Sequence, residues 1–181
     1  MLKGGDPANP NNYRPISKLS VLCKILEGLI SNQLKEFLSK NCILNDLQSG
    51  FRKKHGTVTA TMKVLNDIIT AIDEKEHCAA LFLDLSKAFD TVDHSVLLQK
   101  LVNIGFSSKS VKWFENYLSD RTQSVQADGL SSSCKNIHYG VPQGSILGPI
   151  LFIVYINNLC CNVQNSIFTQ MTPLCIALLH P

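Results

Sequence analysis

The sequence predicts a mixed α/β or α+β protein, because helical and extended patterns alternate along its 181 residues. Apolar residues at steps of three and four predict two long helices in the first part of the chain. A short apolar run at residues 78–85 predicts a strand buried on both faces. Alternation of polar and apolar residues at 121–127 predicts one arm of a β-hairpin.

The first part of the chain is predicted to be a looped lead-in followed by two helices. Residues up to Tyr13 are rich in Gly, Pro and Asn, which is typical of loops. The first helical pattern begins at Leu19 and ends at about Lys40. The second begins at Thr57 and ends in the charged stretch 73–76. A basic loop joins the two helices and contains Arg52, Lys53, Lys54 and His55.

The predicted strand carries one acid, Asp84. An ionised carboxylate in an apolar strand loses several kcal/mol of solvation, which a metal or a cation can offset. Alternatively, the strand ends at this residue and the acid caps the next turn. The pattern alone leaves both readings open.

Two shorter helices are predicted after the strand. Asp93 or Ser95 can cap a helix that Gly105 closes, and Ser107 or Ser108 can begin another that reaches Leu118. The helical spacing of three aromatic residues in the second of these favours a place in the core over a base-stacking surface. They are Trp113, Phe114 and Tyr117.

The last predicted elements are the hairpin, a turn and one apolar segment. Asp128 and Gly129 supply the hairpin turn, and residues 134–139 form its returning arm. Residues 140–148 are a Gly/Pro turn, and a helix or strand follows to Asn157.

Composition indicates a folded protein whose positive charge lies at the front. Hydrophobic residues make up 45% of the chain, which is enough for a sizeable core and argues against disorder. Residues 1–63 hold ten basic and four acidic side chains, whereas the remainder is net negative. We therefore expect the first third to contact phosphates. No charged residue follows Lys135, so we expect that tail to be buried.

The cysteines and the hydropathy pattern indicate a soluble intracellular protein. The seven cysteines have no CxxC spacing, which favours buried thiols in a reducing compartment over a disulfide framework. The amino terminus lacks the apolar region of a secretory signal. The longest apolar run, residues 149–156, is far shorter than the ~20 residues of a membrane span. Nucleus and cytoplasm are not distinguished, and oligomeric state is not predicted.

Four segments resemble signature motifs of one family, in the family's order. LFLDLSKAFDTVDH at 81–94 and GVPQGSILGPILFIVYINNL at 140–159 closely resemble two motifs of reverse transcriptases from non-LTR (LINE-type) retrotransposons. NNYRPISKLSVLCKILEGLI at 11–30 and QSGFRKKHGTVTA at 48–60 resemble the fingers segments of the same family. The resemblance implies an α+β, right-hand polymerase fold, with residues 1–159 forming the fingers and part of the palm.

The resemblance assigns the strand acid to catalysis. Polymerases of this kind use two Mg²⁺ ions to activate a 3′-hydroxyl and to hold the leaving group. Asp84 matches the first metal-ligating carboxylate. Phe89 matches the steric gate that selects deoxynucleotides, although an ordinary core phenylalanine is also compatible with the pattern. Asp90 and Asp93 fit turn and cap residues better than metal ligands.

Other matched positions imply nucleotide binding. Gln143 matches a side chain that contacts the incoming nucleotide, and Gly144 lets backbone approach it. Arg14 matches a cation that grips triphosphate, and Arg52 can contact template or triphosphate. The two lysines after Arg52 are equally compatible with a solvated loop. The implied partners are an RNA template, a DNA primer and dNTPs.

The family's next motif, Tyr-Ala-Asp-Asp, is absent, and no Asp or Glu follows Asp128. The codons of residues 168–172 must be TTY, ACN, CAR, ATG and ACN, which read one nucleotide earlier permit Tyr-Ala-Asp-Asp. We therefore interpret residues 160–181 as an aberrant tail produced by a one-nucleotide frameshift. We expect this tail to leave the palm sheet unfinished and the fold to lack a thumb and an endonuclease domain.

The expected activity follows from these losses. Because Mg²⁺ is held mainly through carboxylates and substrate phosphates, Asp84 alone should not support two-metal catalysis. The sequence therefore predicts a catalytically inactive fragment of an RNA-directed DNA polymerase. The alternatives are a noncatalytic module that binds RNA or template–primer, and a relic open reading frame without function.

Overall fold

The structure is a computed structural model that describes residues 4–6, 9, 12–13, 15–46, 48–75, 79–83, 85, 87–127, 129–159, 166–168 and 175–179. Helix and sheet are both present, as predicted. The helices are α1 (Val21–Lys40), α2 (Thr57–Asp73), α3 (His94–Asn103), α4 (Ser108–Leu118) and α5 (Gly148–Ile156). The strands are β1 (Ala79–Leu83), β2 (Arg121–Gln123), β3 (Gln126–Ala127), β4 (Leu130–Ser131), β5 (Lys135–Ile137), β6 (Ser166–Phe168) and β7 (Cys175–Leu179).

Side-chain caps set the beginnings of three helices. The Ser20 hydroxyl accepts a hydrogen bond from the Cys23 amide at 3.2 Å and begins α1. The carboxylate of Asp93 accepts from two amides of the first turn of α3, and the Ser107 hydroxyl does the same for one amide of α4. Each cap satisfies an amide that has no partner inside its helix. The predicted caps at Asp93 and Ser107 are therefore confirmed.

The core surrounds α5. All the side chains of this helix from Ile150 to Val154 are buried, as is Ile156. A helix that is apolar on every face has to be surrounded by protein, and residues of α1, α3 and α4 pack around it. Proline in its first turn suits a helix start, which resolves the helix-or-strand alternative for this segment.

The buried face of α1 differs from the face that its apolar pattern predicts. The residues that point inward are Glu27, Ser31, Leu34 and Leu38, spaced by four, three and four. Leu22, by contrast, is 79% exposed. Periodicity identified the helix correctly, but the inward face of its first half carries polar side chains instead of the apolar ones.

Two other predictions about exposure have different outcomes. The aromatic residues of α4 do belong to the core: Phe114 is buried, and Trp113 and Tyr117 pack against the cluster. The prediction of buried thiols is wrong for Cys42 and Cys134, which are exposed. Both lie outside helices and strands, where an apolar residue is not drawn into the core by periodic packing.

The strands form three small antiparallel sheets. β2 pairs with β5, and β3 pairs with β4, so the predicted hairpin is confirmed around Gly129. The third sheet has the order β1-β7-β6. Residues 166–168 and 175–179 add two strands to β1, and the expectation that the tail leaves the palm sheet unfinished stays a prediction. Backbone pairing supplies those strands whatever their side chains.

The ends of three strands meet at one edge of this sheet. Leu83, the last residue of β1, pairs with Cys175, the first residue of β7. Cys175 also pairs with Phe168, the last residue of β6. In the helices that the structure describes, none is both long and apolar enough to cross a membrane.

Candidate functional site

Backbone hydrogen bonds join the turn after β1 to the Gly/Pro loop. The amide of Gly140 donates to the carbonyl of Val92 at 2.7 Å, and the amide of Val141 donates to the carbonyl of Phe89 at 2.8 Å. Asp93 and Tyr139 form an isolated antiparallel bridge. The structure thus brings together two motifs that lie about 50 residues apart in the sequence.

Gly140 permits this close approach. Its φ is +88°, and a Cβ on this residue would lie 2.8 Å from the Cα of Asp90 and 2.9 Å from two backbone oxygens. The Nε2 atom of His94 lies 2.7 Å from its carbonyl oxygen. A side chain at this position would collide with backbone that cannot rotate away.

Gln143 is held on both sides. Its side-chain nitrogen donates to the two carboxylate oxygens of Asp90 at 3.1 Å and 3.3 Å. Its backbone carbonyl accepts from the amide of Ser17 at 2.8 Å. Because a carboxylate only accepts hydrogen bonds, the amide nitrogen faces Asp90 and the Oε1 oxygen points elsewhere. The carboxamide therefore presents an acceptor.

The loop continues as a tight turn at Gly144. This residue is exposed, its φ is +102°, and a Cβ would lie 3.3 Å from the carbonyl oxygen of Ser17. The hydroxyl of Ser145 donates to the Pro142 carbonyl and accepts from the Gly148 amide, each at 2.8 Å. These bonds fold the loop back toward α5 and leave its backbone open at Gly144.

Phe89 is half-buried between two other phenylalanines. Its ring stacks on Phe152 with 4.8 Å between centroids and meets the edge of Phe51 at 5.9 Å. Such pairs add about 0.5–1.5 kcal/mol to the gain from burial. Phe89 thus touches both α5 and the basic loop, so the position predicted for the steric gate also has a packing role.

Arg52 holds its own loop in place. One guanidinium nitrogen donates to the carbonyls of Asn45 and Gln48, at 2.8 Å and 3.2 Å. Arg52 and the neighbouring Lys53 also line an open groove of about 1190 Å³ between the end of α1, this loop and α5. Lys53 and Lys54 are exposed, in agreement with the solvated-loop alternative.

Sequence reasoning missed Glu27, which lies on the buried face of α1 and is 1% exposed. Its Oε1 accepts from the Tyr117 hydroxyl at 2.7 Å, and its Oε2 accepts from the Ile146 amide at 2.7 Å. Burial, and secondarily the hydrogen bond to Glu27, raise the pKa of the Tyr117 hydroxyl above its usual range, so this hydroxyl keeps the proton that it donates. An acid in register with Leu34 and Leu38 was the signal that could have identified it.

Two predicted site residues, Asp84 and Arg14, lie outside the described residues. Within the described part of the chain, no three His, Cys, Asp or Glu side chains are grouped so that they could hold a metal. Asp90, beside the loop, is engaged by Gln143. The sequence adds no acid after position 128, and the side chains that the structure describes do not form a site for two ions.

The mixture of helix and sheet, with two motif segments joined at a polar loop, is consistent with a polymerase fold of the fingers and palm type, which the following family match implies. A family model described as reverse transcriptase (RNA-dependent DNA polymerase) matches residues 2–176. The chain therefore belongs to this family. Its members generally use divalent metal ions and act on nucleotides with an RNA template and a primer.

Three relatives show which branch of the family is similar. The chain is 40% identical over 160 residues to a probable RNA-directed DNA polymerase from transposon BS of Drosophila melanogaster, with 88% of this chain and 18% of the relative covered. It is 38% identical over 156 residues to the polymerase from mobile element jockey of the same species, with 86% and 17% covered.

The third relative is more distant. Identity is 30% over 165 residues to a Pol polyprotein from the retrotransposable element R2 of Popillia japonica, with 91% of this chain and 23% of the relative covered. The resemblance to non-LTR retrotransposon reverse transcriptases is thereby confirmed. The chain spans about a fifth of the length of these relatives.

Proposed function

We propose that this chain forms the fingers and part of the palm of an RNA-directed DNA polymerase, and that the loop 140–148 forms one wall of the pocket for the incoming nucleotide. The observation that carries this proposal is the junction of the two motif segments, which places Gln143 and Gly144 beside the turn that contains Phe89. An acceptor, an open stretch of backbone and an aromatic ring then lie in one small region.

Each of these groups has a different task in the proposed pocket. The Oε1 oxygen of Gln143 accepts a hydrogen bond from the nucleotide, because Asp90 already engages the nitrogen. The main chain of Gly144 is exposed on the side away from Ser17, where the nucleotide lies against it. The ring of Phe89 limits the space beside the sugar. Arg14, and the guanidinium donors of Arg52 that do not hold the loop, bind phosphate.

A nucleotide titration tests the pocket. We expect Gln143→Ala to weaken binding of dTTP, in the presence of a poly(rA)·oligo(dT) template–primer, by about threefold to tenfold, as expected for one lost hydrogen bond. Gln99→Ala is the matched control, because Gln99 is an exposed glutamine of α3 whose side chain bonds only within its own helix. Equal affinities for the two variants would contradict the proposed role of the loop.

We also propose that this chain alone does not extend a primer. Asp84 is the one carboxylate that matches the family's metal ligands, and the tail supplies no second acid. Divalent ions would activate the 3′-hydroxyl and stabilise the leaving group, but only if carboxylates hold them. Primer extension by the purified chain on an RNA template, lost on Asp84→Ala, would refute this part of the proposal.

The proposed frameshift explains the missing acids and is supported by the sheet. The permitted Tyr-Ala-Asp-Asp reading starts at the codon of Phe168, where β6 ends, and β6 ends at the same end of the sheet as β1, with β7 between them. Asp84 is the next residue in sequence after β1. Sequencing the coding DNA tests this idea, because codons at 168–172 that cannot spell the motif in the earlier frame exclude it.

A second candidate function is noncatalytic binding of RNA or template–primer. It is favoured by the basic balance of residues 1–63 and by the exposed Lys53 and Lys54. We expect RNA affinity to fall as the salt concentration rises. In the double variant Arg14→Ala, Arg52→Ala, the slope of log affinity against log salt concentration should become shallower by about 0.7 for each phosphate that the variant no longer neutralises. Lys112→Ala is the control, since Lys112 pairs with Glu115 on an exposed face. A folded protein without RNA affinity, or a chain that does not fold, would favour a functionless relic.

A further inference from the structure

We propose that Glu27 is the positioning residue that fixes the loop carrying Gln143 relative to α1. The consequence for nucleotide binding rests on the proposed function, whereas the positioning itself does not. Glu27 is 1% exposed, and its two carboxylate oxygens bind donors from two different parts of the chain. One donor is the Ile146 amide, three residues after Gln143, and another is the Tyr117 hydroxyl on α4. The thiol of Cys23, one turn earlier on α1, also donates to Oε1 at 3.6 Å.

A buried carboxylate at this place calls for an explanation beyond stability. Moving a carboxylate out of water costs several kcal/mol, and an apolar side chain in register with Leu34 would avoid that cost. The described side chains form no ion pair with Glu27. The guanidinium of Arg121 lies 5.2 Å from the ring centre of Tyr117 and is not paired with Glu27. Glu27 instead accepts hydrogen bonds from neutral groups, and these bonds define positions in space.

The geometry shows what these bonds position. The loop 140–148 contacts the first fingers segment twice, through the Ser17 amide to the Gln143 carbonyl and through Glu27 to the Ile146 amide. The two contacts lie on opposite sides of Gly144 in sequence. Ser17 lies three residues before Ser20, the N-cap of α1, and Glu27 lies within α1. The loop is thus anchored both to the segment that leads into α1 and to α1 itself, so it cannot slide along them without breaking a bond. Gln143 is the residue at the first of these anchors.

Reach, not charge, is therefore the property that position 27 needs. Glutamine has the same length as glutamate, and its Oε1 can still accept from Ile146, while its nitrogen can donate to the Tyr117 oxygen, because a hydroxyl can turn to accept. Aspartate keeps the charge but is one methylene shorter, so it cannot reach both donors. Glu27→Gln should thus keep the loop in place, and Glu27→Asp should release it.

Amide hydrogen exchange measures the positioning without any nucleotide. In Glu27→Asp, we expect peptides covering 142–148 to exchange about tenfold faster than in the wild type, while exchange in α3 stays unchanged. In Glu27→Gln, the same loop peptides should exchange at nearly the wild-type rate. Cys23→Ala is the matched control. It removes a donor to Glu27 that lies on α1 itself, at 3.6 Å, and leaves the bonds from Ile146 and Tyr117 in place, so it should not speed loop exchange.

The reverse order of the two Glu27 variants, or equal loop exchange in Glu27→Asp and Cys23→Ala, would overturn the proposal and leave Glu27 as a core residue only. Affinity for dTTP on poly(rA)·oligo(dT) separates the two claims. If Glu27→Asp releases the loop and lowers dTTP affinity at least threefold, and Glu27→Gln does neither, then the positioning role of Glu27 and the nucleotide-binding role of the loop are both supported. If the wild type does not bind dTTP, the proposed function fails, and the exchange pattern still decides the role of Glu27.

Discussion

Replacing Gly140 with alanine should destabilise the protein by two separate mechanisms. At a φ of +88°, a residue with a Cβ costs about 1–2 kcal/mol more than glycine. In addition, the new Cβ would lie 2.8–2.9 Å from three backbone atoms of the neighbouring turn, where ordinary contacts begin at 3.4 Å. The turn must then move away by roughly half an ångström, which costs about 1–3 kcal/mol, as overpacked sites generally do.

Gly105→Ala isolates the first of these costs. Gly105 has a similar φ, +94°, and no heavy atom within 4 Å of the position of a Cβ. We therefore expect Gly105→Ala to lower the free energy of unfolding by about 1–2 kcal/mol and Gly140→Ala to lower it by about 2–5 kcal/mol. Urea denaturation monitored by circular dichroism measures both values under the same conditions.

The difference between the two variants measures how tightly the motif segments are packed together. If both lose the same free energy within about 0.5 kcal/mol, the turn does not press against Gly140, and the account of how the motifs are joined is wrong. A displaced turn should also move Asp90, so Gly140→Ala is expected to weaken dTTP binding more than Gly105→Ala does.

Three further perturbations have defined outcomes. Asn157→Asp should lower the free energy of unfolding by about 1–3 kcal/mol at neutral pH. The reason is that a carboxylate cannot donate a hydrogen bond to the Ile43 carbonyl, as the Asn157 amide does at 2.9 Å. Urea denaturation measures the effect, and an unchanged free energy of unfolding would mean that this bond is unimportant. The hydrogen bond from the Ser95 hydroxyl lowers the pKa of the Asp93 carboxyl. The stabilisation of the folded state by ionised Asp93 is therefore fully present above about pH 4 and is lost as the pH falls through the lowered pKa. Melting temperatures should therefore fall in acid, and less steeply in Asp93→Asn. Arg52→Lys should speed hydrogen exchange in the loop 45–52, because a lysine ammonium does not reproduce the planar geometry with which the guanidinium binds two carbonyls. Unchanged exchange would exclude a role for Arg52 in holding that loop.

Local signals in the sequence were sufficient for most of the helices. Ser107 and Asp93 cap their helices because a short oxygen-bearing side chain before an apolar repeat satisfies free amides in almost any context. The choice of buried face was not local. The exposed apolar residues of α1 and its buried Glu27 are distinguished by what α1 packs against, and that depends on α4 and on a loop more than a hundred residues away.

The candidate site divides in the same way. Resemblance predicts nucleotide-binding roles for Gln143 and Gly144 from their residue types, and it predicts for Asp90 a role as a turn residue. Its carboxylate also orients Gln143, which is 53 positions away, and the two are joined because Gly140 admits the turn. Sequence spacing does not encode that hydrogen bond. Such partners become visible only when two segments are placed side by side.

The tail can pair with β1 through its backbone although it lacks the carboxylates that catalysis requires. Strand pairing uses backbone amides and carbonyls, which every residue except proline provides, and the segment that forms β7 is apolar and contains no proline. A shift of reading frame can therefore leave a segment that still pairs with β1, while the carboxylates, which depend on particular codons, are lost.

If the proposed frameshift is right, restoring the frame should return the acids next to Asp84 and change stability little, because β1 has a partner in both chains. Thermal denaturation and primer extension can be measured on the two chains together. A restored chain that extends a primer and melts within a few degrees of this one is the expected result, whereas a large gain in melting temperature would mean that the present tail does not complete the sheet.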